Sequence, residues 1–161
     1  MPFIEYEKGV IYEDQRLDLC KMVLGPPNID DLLDSLEHNN FVKHFLLGNN
    51  IIGPVGARRI AKFIHDNPNR MDTWYLAGNC IDAAGFKLIV DSMIPSTTTN
   101  LWMKRNPLTM DACDDIVRLI QQSSHLRTLD LDQTNLGDVG VTNVFHRLST
   151  TTTMRCTLEH L

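Results

Sequence analysis

Long apolar runs are missing from this sequence, and none approaches the roughly 20 residues that a membrane-spanning helix needs. No membrane partner is expected. The opening residues MPFIEYEKG put acids where a secretory leader carries a basic head and an apolar middle, so a soluble chain that is not exported by that route is expected. Basic runs are missing too. With 15 Lys and Arg against 20 Asp and Glu the net charge is −5, and nucleic acid, whose phosphates are met by clustered cations, is not an expected partner. Cysteine is sparse: Cys20, Cys80, Cys113 and Cys156 form no C-x-x-C pair, which argues against a zinc cluster or a disulfide framework and for free thiols in a reducing compartment. No metal or cofactor is implied. The catalytic signatures H-E-x-x-H, G-x-x-x-x-G-K-[ST] and G-x-S-x-G are all absent. Asp111, Asp114 and Asp115 read as helix-start acids that complement the macrodipole. A protein that is not an enzyme is expected.

What the sequence does contain is a period. At 161 residues, 43% hydrophobic and 22% charged, it suits one globular domain with a sizeable core. In Leu126 to Gly140, LRTLDLDQTNLGDVG, leucines fall at Leu129, Leu131 and Leu136. Counting back from Leu129 by 28, 27, 29 and 28 residues reaches Leu101, Trp74, Phe45 and Leu17, each opening the same L-x-L-x-x-N-x-L pattern. The next apolar column reads Leu19, Leu47, Leu76, Met103, Leu131, and a later one Leu24, Ile52, Ile81, Leu108, Leu136. Between them stand Met22, Asn50, Asn79, Asn106 and Thr134. Each unit then shows apolar residues at i, i+3, i+4 and i+7, as in Val141, Val144, Phe145 and Leu148, which predicts one buried helix face. A period near 28 predicts a solenoid in which every unit is a short strand, a turn and an amphipathic helix.

These columns resemble the leucine-rich repeat of the ribonuclease-inhibitor-like subtype, over about Asp14 to Thr153. The departures are Met22 at the Asn position, Pro26-Pro27 before the first helix, and Ala112 where Gly56, Gly85 and Gly140 stand in other units. The resemblance implies an α/β fold, a short curved horseshoe with a parallel sheet on the concave face and helices on the convex face. Strands pack about 4.8 Å apart and helices about 8 to 10 Å, so such an array curves. The expected organisation is an N-terminal cap over 1–13, which reads as a hairpin with a glycine turn, five repeats over 14–153, and a terminal strand or truncated sixth repeat over 154–161, with Met154 opening the sixth period.

Strand residues alternate, so those between the core columns face outward. Among them Leu46, Tyr75 and Trp102 form an apolar stripe, flanked by Lys104 and Arg105 on one side and by Asp130 and Asp132 beyond. Aromatics and arginine among charges are the material of interface hot spots, and these seven residues are the candidate partner-binding set. A competing reading is that Tyr75 and Trp102 only pack on each other across neighbouring strands. His44 is the one histidine on this face and reads as solvated or hydrogen-bonded.

The resemblance implies a protein-interaction module that binds another protein through its concave sheet and adjoining loops. Similar families include ribonuclease inhibitors, sensor domains of NOD-like receptors, substrate-recognition parts of ubiquitin ligases and bacterial effectors. The alternative is an enzyme regulator such as a small-GTPase activator, which would act through the loops at Asn49, Gly78, Arg105 and Gln133. A cytoskeletal capping module of the tropomodulin type fits less well, because a helix after the last repeat is not seen. Self-association through exposed repeat ends is a further partner reading. The expected location is cytoplasmic, or a host cytoplasm for a bacterial effector.

Overall fold

The computed structural model describes the backbone of residues 3–151 and 156–161, and side chains from residue 7 onward within those spans. Strands β1 (Phe3–Tyr6) and β2 (Gly9–Tyr12) form an antiparallel hairpin with Tyr6 opposite Gly9. Strand β2 in turn pairs antiparallel with β3 (Arg16–Asp18), so the hairpin covers one edge of the sheet. Residues 1–2 of the expected cap lie outside the described residues.

From β3 onward the sheet is parallel and runs in sequence order. The remaining strands are β4 (His44–Leu46), β5 (Thr73–Tyr75), β6 (Asn100–Trp102) and β7 (Thr128–Asp130). Leu17, Phe45, Trp74, Leu101 and Leu129 sit side by side in one register. Each strand is three residues long, with its middle side chain buried and its two flanking ones half-buried. Period-two alternation thus gives one face to the core and the other to solvent. Behind the sheet lie α1 (Ile29–Glu37), α2 (Gly53–Asp66), α3 (Ala83–Met93), α4 (Cys113–Gln122) and α5 (Gly137–Thr150). Pro26–Asn28 and Met110–Ala112 add a turn of tighter helix before α1 and α4. Proline is tolerated there because the first helical N–H groups have no intrahelical partner. At the start of α3 the Asp82 carboxylate accepts the Gly85 N–H at 2.8 Å, the capping role its position predicts. Gly85 also lets α3 approach α2, since a Cβ there would stand 2.9 Å from that of Ala57.

One continuous core lies between the layers. Phe45, Leu47, Trp74, Leu76, Leu101, Met103 and Leu129 from the strand side meet Ile60, Ile64, Phe86, Ile89, Ile116 and Val117 from the helices, all buried. Trp74 is fully enclosed, edge-on to Phe45 and Phe63 at centroid distances of 5.3 and 5.9 Å. Its indole N–H finds no acceptor among the described residues. The asparagine column is buried and ties neighbouring units together. The Asn106 amide donates to Met103 O at 2.7 Å and Leu76 O at 2.9 Å, and its Oδ1 accepts the N–H groups of Asn79 and Ile81, both at 3.0 Å. Asn79 and Asn50 repeat the arrangement one and two units earlier. These amides satisfy main-chain groups that lose strand partners where the chain turns.

Two expectations need correction at the last unit. Val144 is buried and Leu148 half-buried, but Val141 and Phe145 are 43% and 55% exposed. Their counterparts in the middle units, such as Phe86 and Val90, are covered by the next helix, and among the described residues no helix follows α5. The sixth period is also displaced. Met154 lies outside the described residues, and it is His160 that pairs in parallel with Thr128, 32 residues earlier (160 − 128). Leu129 N–H donates to His160 O at 3.0 Å, and Leu158 packs on the core as Leu126 does one unit before. The run after α5 makes this period longer than the others.

Candidate interaction surface

The outer face of the sheet carries Leu46, Tyr75, Trp102 and Asp130 at the last position of four successive strands. All four are half-buried. Strand pairing brings Leu46 beside Tyr75, Tyr75 beside Trp102 and Trp102 beside Asp130. The rings of Tyr75 and Trp102 meet at 5.9 Å with 42° between their planes, so the cross-strand contact exists and contributes about 1 kcal/mol. Tyr75 also leans back over Gly48, where a Cβ would stand 2.6 Å from its Cε1. No residue larger than glycine fits under that ring. The Gly48 N–H donates to Cys20 Sγ at 3.3 Å, and burial pushes the Cys20 thiol up to about 11. Cys20 is therefore a packing group and not a nucleophile at neutral pH.

The aromatic pair leaves its polar handles free. Neither the Tyr75 hydroxyl nor the Trp102 indole N–H has a hydrogen-bond partner among the described residues. Two residues beyond Trp102 and Asp130 come half-buried Lys104 and exposed Asp132, with exposed Arg105 following. Lys104 and Arg105 make no ion pair among the described residues. The Asp130 carboxylate accepts the Asp132 N–H at 2.9 Å, as Asp18 does for Cys20 in the first unit. The seven candidate residues thus occupy four adjacent strands and the turns that follow two of them, as one patch. His44 Nδ1 lies 2.9 Å from the Thr73 hydroxyl, which also accepts from the Asn100 amide. His44 is thus hydrogen-bonded into a polar row on the sheet.

The turns hold features that composition and spacing did not single out. Lys21, Asn49, Gly78, Arg105 and Gln133 occupy one column, and each has a left-handed backbone with φ between 56° and 66°. Two residues on, Val23, Ile51, Cys80 and Asn135 are left-handed as well, with φ between 52° and 61°. Val23 and Ile51 are 76% and 61% exposed. Their signal in the sequence was an apolar residue at the loop position where Asn135 stands in the last unit, but the backbone angle that makes them unusual is visible only in three dimensions.

Comparisons with known proteins fit this architecture. The Leucine Rich repeat family matches residues 122–144. The chain is similar to the pig (Sus scrofa) ribonuclease inhibitor, 24% identical over 85% of the chain and 36% of that protein. It is also similar to human NACHT, LRR and PYD domains-containing protein 12, 28% identical over 78% of the chain but 12% of the relative. A third relative is mouse NACHT, LRR and PYD domains-containing protein 5, at 26% identity over 79% of the chain and 14% of its own length. The chain spans about a third or less of the curated relatives it matches. Among solved structures, Leiomodin-1 Actin-Binding Site 2 superposes with a TM-score of 0.66 at 20% identity, covering 83% of this chain and 79% of that one. At that identity the likeness concerns the fold.

Proposed function

We propose that this chain, a leucine-rich-repeat protein of the ribonuclease-inhibitor-like type, is a protein-interaction module whose sheet and following turns dock another protein. The observation that carries the reading is the aromatic pair Tyr75 and Trp102, half-buried on the outer face with unpartnered polar handles, beside cations that the fold leaves unpaired. Hot spots are enriched in these residue types because a rigid ring offers much contact area at little entropic cost, and an N–H or O–H at its rim fixes orientation. Leu46 extends the apolar centre, while Lys104, Arg105, Asp130 and Asp132 form a charged border that a partner's opposite charges complement. A curved array would wrap this wall around a convex partner. A standard interface needs about 800 Å² from each side, which several strands and their turns can supply. The names of the relatives, an inhibitor of ribonuclease and an actin-binding site, describe proteins that engage proteins. A cytoplasmic location follows from the same reading, since exposed Cys80 and Cys156 are free thiols.

Affinity capture from the source cells tests the reading. A partner retained by the native chain is lost with Tyr75→Ala/Trp102→Ala and kept with Arg58→Ala, a change on the helix side. Retention of every captured protein by the aromatic double variant contradicts the assignment.

A further inference from the structure

The turn column of Val23 and Ile51 combines two unfavourable choices. Both residues are β-branched in the left-handed region, which costs an L-residue roughly 1–2 kcal/mol, and β-branched side chains are among the least suited to it. Neither recovers that cost by packing, because both are largely exposed. The turn itself demands positive φ, as Cys80 and Asn135 show at the same place, and Asn or Gly would meet the demand with little strain. Strain held at an exposed apolar position points to a use outside the fold.

The charges around this rim are sorted. Lys21 stands in the first unit beside Val23, and Lys104 and Arg105 stand in the fourth beside exposed Pro107. None of the three cations makes an ion pair or side-chain hydrogen bond among the described residues. The carboxylates of these units are held by main-chain N–H groups instead: Asp18 accepts that of Cys20, Asp82 that of Gly85 and Asp130 that of Asp132. Asp132, in the fifth unit, has no partner for its carboxylate among the described residues, and it marks the far end of the rim. The first four units therefore present apolar Val23 and Ile51 between unpaired cations, over about 14 Å if turns follow the strand spacing.

Resting on the interaction reading above, we infer that the rim docks an acidic segment of the partner whose apolar side chains cover Val23 and Ile51 while its carboxylates meet Lys21, Lys104 and Arg105. A basic segment would leave these cations facing like charge, and a purely apolar one would bury them unpaired. The sign of the partner's charge is thereby specified, which the mixed border of the sheet alone does not do.

Two synthetic peptides provide the probe, one alternating leucine with glutamate and the other alternating leucine with lysine, added to the isotope-labelled chain while amide NMR shifts are followed. The glutamate peptide is expected to move the amides of Lys21, Val23, Ile51 and Arg105, with shifts that shrink as salt rises, and the lysine peptide to leave them in place. Ile51→Asn, which removes the apolar surface and suits the left-handed backbone, is expected to lose the shifts without lowering the thermal midpoint. Lys104→Glu/Arg105→Glu is expected to lose them as well. Equal rim shifts from both peptides, shifts located elsewhere, or no shift from either overturns the inference. Loss of shifts in Trp102→Ala with full retention in Ile51→Asn defeats the rim and leaves the sheet reading standing. The reverse pattern supports the rim and removes the sheet.

Discussion

The helix layer and the strand layer of this molecule treat their charges in opposite ways. On the helix side Arg59 holds Asp30 and Asp34, Lys62 holds Asp66, Lys87 and Arg118 share Asp91, and Arg147 holds Asp114. Four of these contacts join one helix to the next: Arg59 links α2 to α1 through two of them, Arg118 links α4 to α3, and Arg147 links α5 to α4. Arg58 is the cation of that layer without a carboxylate among the described residues. Where the strands begin, Arg16 holds Asp14 and Arg127 holds Glu159, but in the turns that follow the strands Lys21, Lys104 and Arg105 are all without a carboxylate among the described residues. Aromatics divide the same way, with Trp74 enclosed and Trp102 at the surface. The contrast teaches that charge on the helix layer serves neighbouring units, whereas the cations in the turns after the strands and the aromatic area on the outer sheet face are left over once the fold is complete.

The contrast breaks most severely between the layers, where Asn106 serves both. Asn106→Ala leaves the buried N–H groups of Asn79 and Ile81 without acceptors and Met103 O without its amide donor. At about 1–3 kcal/mol for each orphaned buried group, a loss of about 4 kcal/mol is expected, measured by urea denaturation. Trp74→Phe sharpens the comparison of the two tryptophans. It removes ring volume from the core but also removes a buried N–H that has no acceptor, so the net cost is expected near 1 kcal/mol, well below the 3–5 kcal/mol of a buried aromatic cut to alanine.

The helix-layer ion pairs predict a smaller, pH-dependent effect. Burial alone would raise the Asp91 carboxyl, but hydrogen bonds from Lys87 and Arg118 outweigh it and hold the group below its usual range. A carboxyl depressed in the folded state adds stability above its unfolded pKa of about 3.9, and that stability is lost as pH falls through the lower folded value. The pairs are partly solvated, so Asp91→Asn is expected to cost at most about 1 kcal/mol at pH 7 and nothing once acid has protonated the native carboxyl. Denaturation midpoints across acidic pH check this. Thiol labelling gives the mildest readout: Cys80 and Cys156, both exposed, react first, while Cys20 and Cys113, pushed up by burial, lag until the chain unfolds.

The layers were also unequally legible in the sequence. Core columns such as Leu47, Leu76 and Met103 could be read because a buried position repeats its apolar character in every unit, and the asparagine column because an amide is the group that satisfies a turning backbone. Val141 and Phe145 obeyed the same pattern yet are exposed, since a column cannot say whether a neighbour exists to cover it. The outward placement of Tyr75 and Trp102 followed from alternation, but Gly48 beneath Tyr75 and the strained Ile51 did not, because ring position and backbone angle depend on contacts 27 or more residues away. The shift of the sixth period from Met154 to Leu158 escaped counting, because α5 stops at the same place in its period as α2 and α4 and the extra residues come after it, where no repeat column registers them.

The central claim is that the aromatic wall is surplus to the fold, and the unfolding free energy of Tyr75→Ala/Trp102→Ala tests it most directly. Both rings are half-buried, so a combined loss of about 2 kcal/mol is expected, roughly half that of Asn106→Ala, with native spectra retained. A loss equal to or above the asparagine variant's, or a chain that no longer folds, would show that the wall holds the repeats together and would contradict its assignment as a docking surface.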